Sequence, residues 1–514
     1  MIRSWLAGLS GLGLAAVPAL GGLQTVWKGG GLAEAVFSVS QVVISDSGEV
    51  AAVVDLDNGN DFIPTILFNA TPGTNQAQAL VQGGSGIFGG GGSFDGFANV
   101  SMTGGAGVGG TRLTFAGSSD AGSQQFGVFQ VDMGTGGRVD YRCVVQGDEA
   151  FDGDGVKHPF SFQPSPSQVT DLSLVSVHAN GSGQALFGGK VNDGQVLARV
   201  DGGPAGRYLD STLGLANFNE DGRSLPQRRI TESGAAVFLG DGPGGTNAIY
   251  RMSGAMLTPQ AWINGPISAG GEDYTPSLVL GATDDAVLFW GVDGNNDRSI
   301  FIKHGLDPIK QLGMYSQPLV GEYAGGALTD NGLAAFLATD NQGQTELLFY
   351  DAAGNGLAQQ VAGRGTAIAG TPWLVQQVGI DGRAAPMLNE NGVVVFGAWI
   401  AQDLNDSGLP ALLWWEDGSL RLVAKAGDEV ALENVGGYTL TDVMSGGLGV
   451  EGDIYKDGLS ADNQLAFAVA YSGPGGEEGT AVLLTSVPEP TAMVWLAAGV
   501  LILLHRRKRA CSAC

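Results

Sequence analysis

Two short acidic loops carry the residues best spaced for chemistry. Asp55, Asp57 and Asp61 stand at intervals of two and four in "DLDNGND", and Asp293, Asn295 and Asp297 stand similarly in "DGNND". Alternate oxygen-bearing side chains on a turning loop can converge on a hard cation such as Ca²⁺. Neither loop has the sixth-position glycine or the closing bidentate glutamate of an EF-hand, and Asp and Asn also make plain turns. Ca²⁺ is the one cofactor the sequence suggests, and plain turns are the competing reading.

Other chemistry is hard to place. No G-x-S-x-G, H-E-x-x-H or G-x-x-x-x-G-K-[ST] motif occurs. His158, His178, His304 and His505 lie far apart in the chain, and Cys143 is alone in the body. Cys143 reads as a small packed residue rather than a nucleophile. The stretch "GGSGIFGGGGSFDGF" has glycines enough to cradle a phosphate but no nearby lysine, so it reads as a loop or sheet edge. Of Trp414 and Trp415, one could turn outward as a sugar-stacking surface while the other enters the core, because adjacent strand residues face opposite ways. No catalytic residue emerges, and the expectation is a protein without enzymatic activity.

The elements that must hold these loops are repeats. The clearest phrase is "NENGVVVF", which ends at Phe396. "TDNGLAAF" ends at Phe336, "TESGAAVF" at Phe238 and "NGSGQALF" at Phe187. "TDDAVLF" ends at Phe289 with Asp285 where glycine would stand, and "SADNQLAF" ends at Phe467 with Asn463 there. "SDSGEVAAV" carries Gly48, and the degenerate "GGTRLTF" ends at Phe115. The anchors fall near 48, 111, 183, 234, 285, 332, 392 and 463, a repeat of roughly 50–70 residues, which points to solenoids or propellers. Physically, Asn or Asp before Gly makes a tight turn, and an apolar strand then ends on an aromatic residue facing the core. A second strand follows each phrase, as in "AIYRMSG", "SIFIKHG" and "ALLWWEDG".

Composition agrees. Glycine supplies 86 of the 514 residues while hydrophobic residues make 44%, which suits many short strands and turns and suits helix poorly. The expected fold is all-β, a β-propeller of seven or eight blades. The last unit ends after "TAVLLTSV" with half its strands, and the N-terminal "TVWKGGGLAEAVF" looks like the missing half. One blade built from both ends would hide two sheet edges. An open β-solenoid or two stacked β-domains is the alternative. The formal charge of −26 repels phosphate backbones, so nucleic acid is not an expected partner.

The two ends read as addresses. Arg3 precedes an apolar run from Trp5 to Val17, followed by Val17-Pro18-Ala19, the pattern of a secretory signal peptide over 1–22. At the other end, an apolar run from Thr491 to Leu504 is followed by Arg506, Arg507, Lys508 and Arg509. That run is shorter than the roughly 20 residues of an ordinary membrane helix, but its cations mark a cytoplasmic stop. Val487-Pro488-Glu489-Pro490, the apolar run and the basic end together resemble the PEP-CTERM sorting signal of Gram-negative bacteria, here 487–514. The resemblance implies a transient stay in the inner membrane, removal of the tail by an exosortase, and delivery to the cell envelope, surface or extracellular matrix. The body, 23–486, resembles the tandem-repeat group with the pattern NxxGxxAF and a choice of C-terminal anchors. Gly48, Phe187, Phe238, Phe289, Phe336, Gly392, Phe396 and Phe467 are its motif positions here. That group implies no activity.

The expectation is therefore an exported, non-catalytic surface or matrix protein. It would be handled by the Sec machinery and exosortase, would touch the membrane through its C-terminal helix before processing, and would be a structural or binding scaffold associated with exopolysaccharide. An extracellular polysaccharide-acting enzyme on a propeller scaffold is the alternative.

Overall fold

The computed structural model describes residues 24–28, 35–57, 61–70, 77–88, 92–103, 110–119, 125–134, 137–145, 149–151, 157–162, 177–191, 194–200, 207–210, 228–241, 247–252, 260–295, 297–315, 326–339, 344–354, 357–379, 386–432, 435–444 and 458–486. The expected leader, 1–22, and the expected sorting segment, 487–514, with Val487, Pro488, Glu489, Pro490, Arg506, Arg507, Lys508 and Arg509, lie outside them.

These residues form eight antiparallel sheets, each of four to six strands. In chain order we number them as blades 1 to 8. Blade 1 spans 35–82, blade 2 94–145, blade 3 149–210, blade 4 228–263, blade 5 267–315, blade 6 326–362, blade 7 374–425 and blade 8 429–486. Every blade packs against the next, and blade 8 packs against blade 1. The ring is a closed β-propeller.

Blade 8 is completed by the other end of the chain. Gln24–Lys28 pairs with Glu478–Ser486, Gln24 opposite Leu484 and Lys28 opposite Ala481, and so becomes its outermost strand. Val26 is buried there among Val42, Ala468 and Val482.

The repeated phrase forms the second strand of each blade, counted from the axis. Its aromatic residue always takes the same place. Phe115, Phe187, Phe238, Phe289, Phe336, Phe396 and Phe467 are all buried, and Ala52 stands at that position in blade 1. Where the packing is described, this residue faces the preceding blade. Phe238 packs with Leu186 of blade 3, Phe289 with Val237 and Ile249 of blade 4, and Phe336 with Leu288 and Ile300 of blade 5. Phe396 meets Leu337 and Leu347 of blade 6, Phe467 meets Val395 and Leu412 of blade 7, and Ala52 meets Ala466 and Val482 of blade 8.

Both faces of each blade are therefore covered. This corrects the expectation that one of Trp414 and Trp415 turns outward. Trp414 packs into blade 8 and Trp415 toward blade 6, and both are buried. Opposite orientation along a strand leads to two cores here, with neither ring left to solvent.

The innermost strands carry no clean alternation. Register shifts interrupt them in blades 1, 2, 5 and 8. In blade 7 the position is shared by two pieces, Leu374–Val378 and Met387–Leu388, that pair with the same neighbour. Bulges raise local twist, which lets a strand follow a narrow axis. A small lead-in turn recurs before this strand. The amides of Gly84, Gly365 and Gly427 donate to the carbonyls of Phe94, Val375 and Leu440, whose own amides return to Ser85, Thr366 and Asp428. The three glycines have φ of 81°, 89° and 87°, a region that other residues enter at a cost.

Emptying the Phe396 position leaves a cavity between two blades, so Phe396→Ala is expected to lower stability by about 3–5 kcal/mol in urea titration. Val26→Asp places a carboxylate in the closing joint. It is expected to unlatch the terminal strand, read as new protease cleavage near residue 28 while the other blades stay protected.

Candidate functional site: the channel mouth

The innermost turns sit together at one end of the channel, and the phrase dictates their shape. Its first residue is Ser45, Asn180, Thr231, Thr283, Thr329, Asn389 or Ser460. In each case the side-chain oxygen accepts a backbone amide from the start of the next strand. The donors are Glu49 at 3.1 Å, Gln184 at 2.9 Å, Ala235 at 3.2 Å, Ala286 at 2.9 Å, Leu333 at 3.1 Å, Val393 at 3.1 Å and Gln464 at 3.0 Å. Short polar side chains that mimic a backbone turn are suited to this.

The fourth residue needs positive φ: 86° at Gly48, 85° at Gly332 and 79° at Gly392. Asn463 adopts 59° in the same place, a conformation that Asn tolerates better than most residues. Blade 5 avoids the requirement. Its turn is one residue shorter, with the Thr283 amide bonded to the Ala286 carbonyl at 2.8 Å, so Asp285 need not replace a glycine conformation.

The second residue of the phrase links blades. The Gly181 amide donates to Glu232 Oε1 at 2.9 Å, and the Ser233 amide to Asp284 Oδ2 at 3.1 Å. The Asp330 and Asn331 amides donate to the two oxygens of Glu390 at 3.1 and 3.3 Å. The Ala461 amide donates to Asp46 Oδ1 at 3.2 Å and so joins blade 8 to blade 1. Between blades 7 and 8 the amide side chains of Asn389 and Asn391 reach the carbonyls of Ser460 and Ala461 at 3.0 and 2.7 Å. Lower in the channel, Gln41 bonds the Val100 backbone in both directions, at 2.7 and 2.8 Å. Gly281 lets blade 5 approach blade 6, since a Cβ there would stand 2.7 Å from that of Leu328.

These turns surround an axial cavity of about 140 Å³. Asp46, Glu232, Asp330 and Glu390 stand in its lining with Arg229 and Thr103. Arg229 is buried, and its Nη2 donates to the Leu280 carbonyl at 3.2 Å.

Ionisation follows these contacts. Burial raises the Asp284 pKa, but hydrogen bonds from Ser233 and Thr231 and the charge of Arg251 outweigh it and hold the carboxyl below its ordinary value. Glu49 is likewise pushed up by burial and brought below its usual value by Ser45, Ser47 and Thr111. Glu416 goes the other way, raised by burial and by Asp417. It lies at a hairpin end of blade 7, apart from the cavity lining. His304 is lowered by burial against the opposing pull of Asp307 and Asp285. Burial pushes the Cys143 thiol up to about 12, which suits a packed side chain and not a thiolate.

The two acidic loops lie elsewhere. They join second to third strands, at the end of the channel opposite the innermost turns. Asp293 Oδ1 accepts the amides of Asn295 and Asp297, each at 2.8 Å, which is how an aspartate shapes a turn. Asp55 accepts the Ser38 hydroxyl at 2.7 Å, while Asp57 ends its strand and Asp61 precedes the next. Among the described residues no three His, Cys, Asp or Glu side chains are placed to hold a metal ion. His158 and His178 lie on strands of blade 3, and His505 lies outside the described residues.

The linking carboxylates escaped sequence reasoning. Their signal is an acidic residue directly after the turn's first residue, present as Asp46, Glu232, Asp284 and Glu390, while Gly181, Asp330 and Ala461 at the same place contribute their backbone amides.

No family model and no curated protein matches this chain. Among solved structures it is similar to the BP39L lectin of Burkholderia pseudomallei, at 11% identity over 75% of this chain and 100% of that one, with a TM-score of 0.37. TolB of Acinetobacter baumannii aligns at 13% identity over 74% of this chain and 80% of that one, with a TM-score of 0.29. The WD40 domain of SCAP from fission yeast aligns at 9% identity over 88% and 85%, with a TM-score of 0.28.

A carboxyl whose pKa is lowered by folding stabilises the protein above its unfolded pKa and loses that contribution as pH falls through the folded value. Thermal stability is therefore expected to fall below about pH 4 as Asp284 and Glu49 protonate. Asp284→Ala should lower stability at pH 7 by roughly 1 kcal/mol, since the group is partly exposed and screened. It should also flatten the acid limb of the melting-temperature profile.

Proposed function

We propose that this chain is an exported, non-catalytic scaffold of the cell surface or extracellular matrix that binds exopolysaccharide through a rigid face. The supporting observation is the use made of the carboxylates at the channel mouth. Asp46, Glu232 and Glu390 each hold a backbone amide of the neighbouring blade. Such groups fasten the ring. Acid–base catalysis requires two groups converging on one reacting bond, with pKa values moved toward the working pH. Asp284 is moved away from it, and the raised Glu416 stands apart from the cavity.

Export and sorting rest on the ends of the sequence. The leader would take the chain into the Sec pathway. The Val487–Pro490 motif, the apolar run and the cations at 506–509 would hold it in the inner membrane until an exosortase removes the tail.

Cell fractionation tests the sorting. Replacing Pro488, Glu489 and Pro490 by alanine is expected to leave an unprocessed, membrane-held chain, seen as a heavier species by mass spectrometry. Normal processing of that variant overturns the sorting reading. Incubating the purified protein with the host's exopolysaccharide should produce co-sedimentation without new reducing ends; new reducing ends would favour the enzyme alternative.

A further inference from the structure

One pairing fixes where the chain enters and leaves the ring. Gln24, the first residue of the outermost strand of blade 8, stands opposite Leu484. Ser486, the last residue of the neighbouring strand, stands opposite Gln464. Gln464 directly follows the innermost turn of that blade, at 460–463. The chain before Gln24 and the chain after Ser486 therefore depart side by side, at the mouth end of the channel. The expected leader and the expected sorting segment join the ring at these two points.

Reach then limits how the ring can sit beside a bilayer. Thr491, where the C-terminal apolar run begins, is five residues beyond Ser486, at most roughly 17 Å of extended chain. The strand Glu478–Ser486 has nine residues, which is roughly 30 Å along the side of the ring. The link is too short to pass the opposite end of the channel, so a bilayer holding the apolar run cannot meet that end. The ring stands on its rim at blade 8 or lies with its mouth end down.

Two leucines separate those poses. The connection after His304 joins the third and fourth strands of blade 5, and its Gly305 amide donates to the carbonyl of Asp285, in the innermost turn of that blade, at 2.6 Å. Leu306 follows and is 103% exposed. In blade 6 the corresponding connection starts beside Gly332 of the innermost turn, where a Cβ would stand 3.2 Å from that of Ala352. It ends with Leu357, 69% exposed, just before the fourth strand. Both leucines thus stand at the mouth end, and they are the two most exposed of the large apolar side chains among the described residues. Phe62, 56% exposed, opens the third strand of blade 1 at the other end. Charge does not draw this protein to anionic headgroups, since its formal charge is −26. Apolar contact with the interface is what the leucines offer. A short tether supplies the rest, holding them near the bilayer at an effective concentration on the order of millimolar.

We propose that the mouth end is a membrane-facing surface. While the C-terminal run is in the bilayer, the chain ties down blade 8, Leu306 and Leu357 dip into the lipid interface, and the opposite end, with the loop at Asp293, is turned away. This rests on the sorting reading and adds the pose of the held protein.

The test uses the exported chain with its tail intact, reconstituted in phosphatidylcholine vesicles. An environment-sensitive fluorophore is attached at Leu306→Cys, Leu357→Cys or Phe62→Cys, each with Cys511→Ser and Cys514→Ser. Cys143 is buried, with its thiol pushed up to about 12, and does not compete for the label. Lipids brominated on their acyl chains are expected to quench the labels at 306 and 357 and to spare the label at 62. In the Leu357→Cys reporter, Leu306→Asp should cut the quenching about twofold or more, because a carboxylate is costly in lipid. Unchanged melting temperatures show that the variants are folded, and Leu357→Asp in the Leu306→Cys reporter gives the same test from the other side. Equal quenching at all three positions, quenching at none, or indifference to the aspartate overturns the proposal and leaves the sorting reading standing. A chain that does not float with the vesicles overturns both.

Discussion

A backbone amide on one innermost turn, donated to a side chain on the next, is the joint on which the ring depends. Apolar burial draws blades together but does not set the angle between them, because it has no direction. A hydrogen bond to a charged acceptor has direction, and is worth roughly 1.5–3 kcal/mol against 0.5–1.5 for a neutral one. The contacts at Glu232, Asp284, Glu390 and Asp46 all lie near the axis, where small differences in angle matter most. Farther out, an aromatic residue pressed against the preceding blade supplies the bulk of the contact area. The two ends of the phrase thus divide the labour: polar residues orient and the phenylalanine fills.

That division shapes the site. The carboxylates that brace the mouth also give it a negative, acceptor-rich surface, and neither role can be changed alone. Removing a brace would disturb the ring. Rigidity at the mouth also limits the cost of ordering a bound group, since the surrounding side chains are already held.

Much of this was legible in the sequence. The phrase ending at Phe396, Phe336 or Phe238 marked each blade because a turn and a buried aromatic residue leave strong local signals. The pairing of the two chain ends was legible in part: of "TVWKGGGLAEAVF", expected to supply half of the last blade, only the strand Gln24–Lys28 joins blade 8, while Ala35–Ile44 is the innermost strand of blade 1. The innermost strands were not legible. They are bulged, interrupted or short, so the two-residue alternation that identifies a strand is broken where it would be sought. Trp414 and Trp415 misled because one face was assumed to be solvent, whereas inside a ring neither is. The links between blades could not be read at all, since the spacing of Gly181 and Glu232 in sequence says nothing about their meeting in space. In the aspartate loops the same spacing suits a cation or a plain turn, and at Asp293 the carboxylate accepts the amides of Asn295 and Asp297, as in a turn.

The terminal strand sets the order in which the molecule can be completed. Gln24 finds its partner Leu484 only after nearly the whole chain has been made. Until then the strand Gln24–Lys28 waits unpaired, and bare edges recruit other chains. The entropy of closing so long a loop grows only logarithmically with length, so the delay is one of timing more than of equilibrium. A chain caught midway would be an open arc with sticky ends, and whatever escorts it must shield both until they meet.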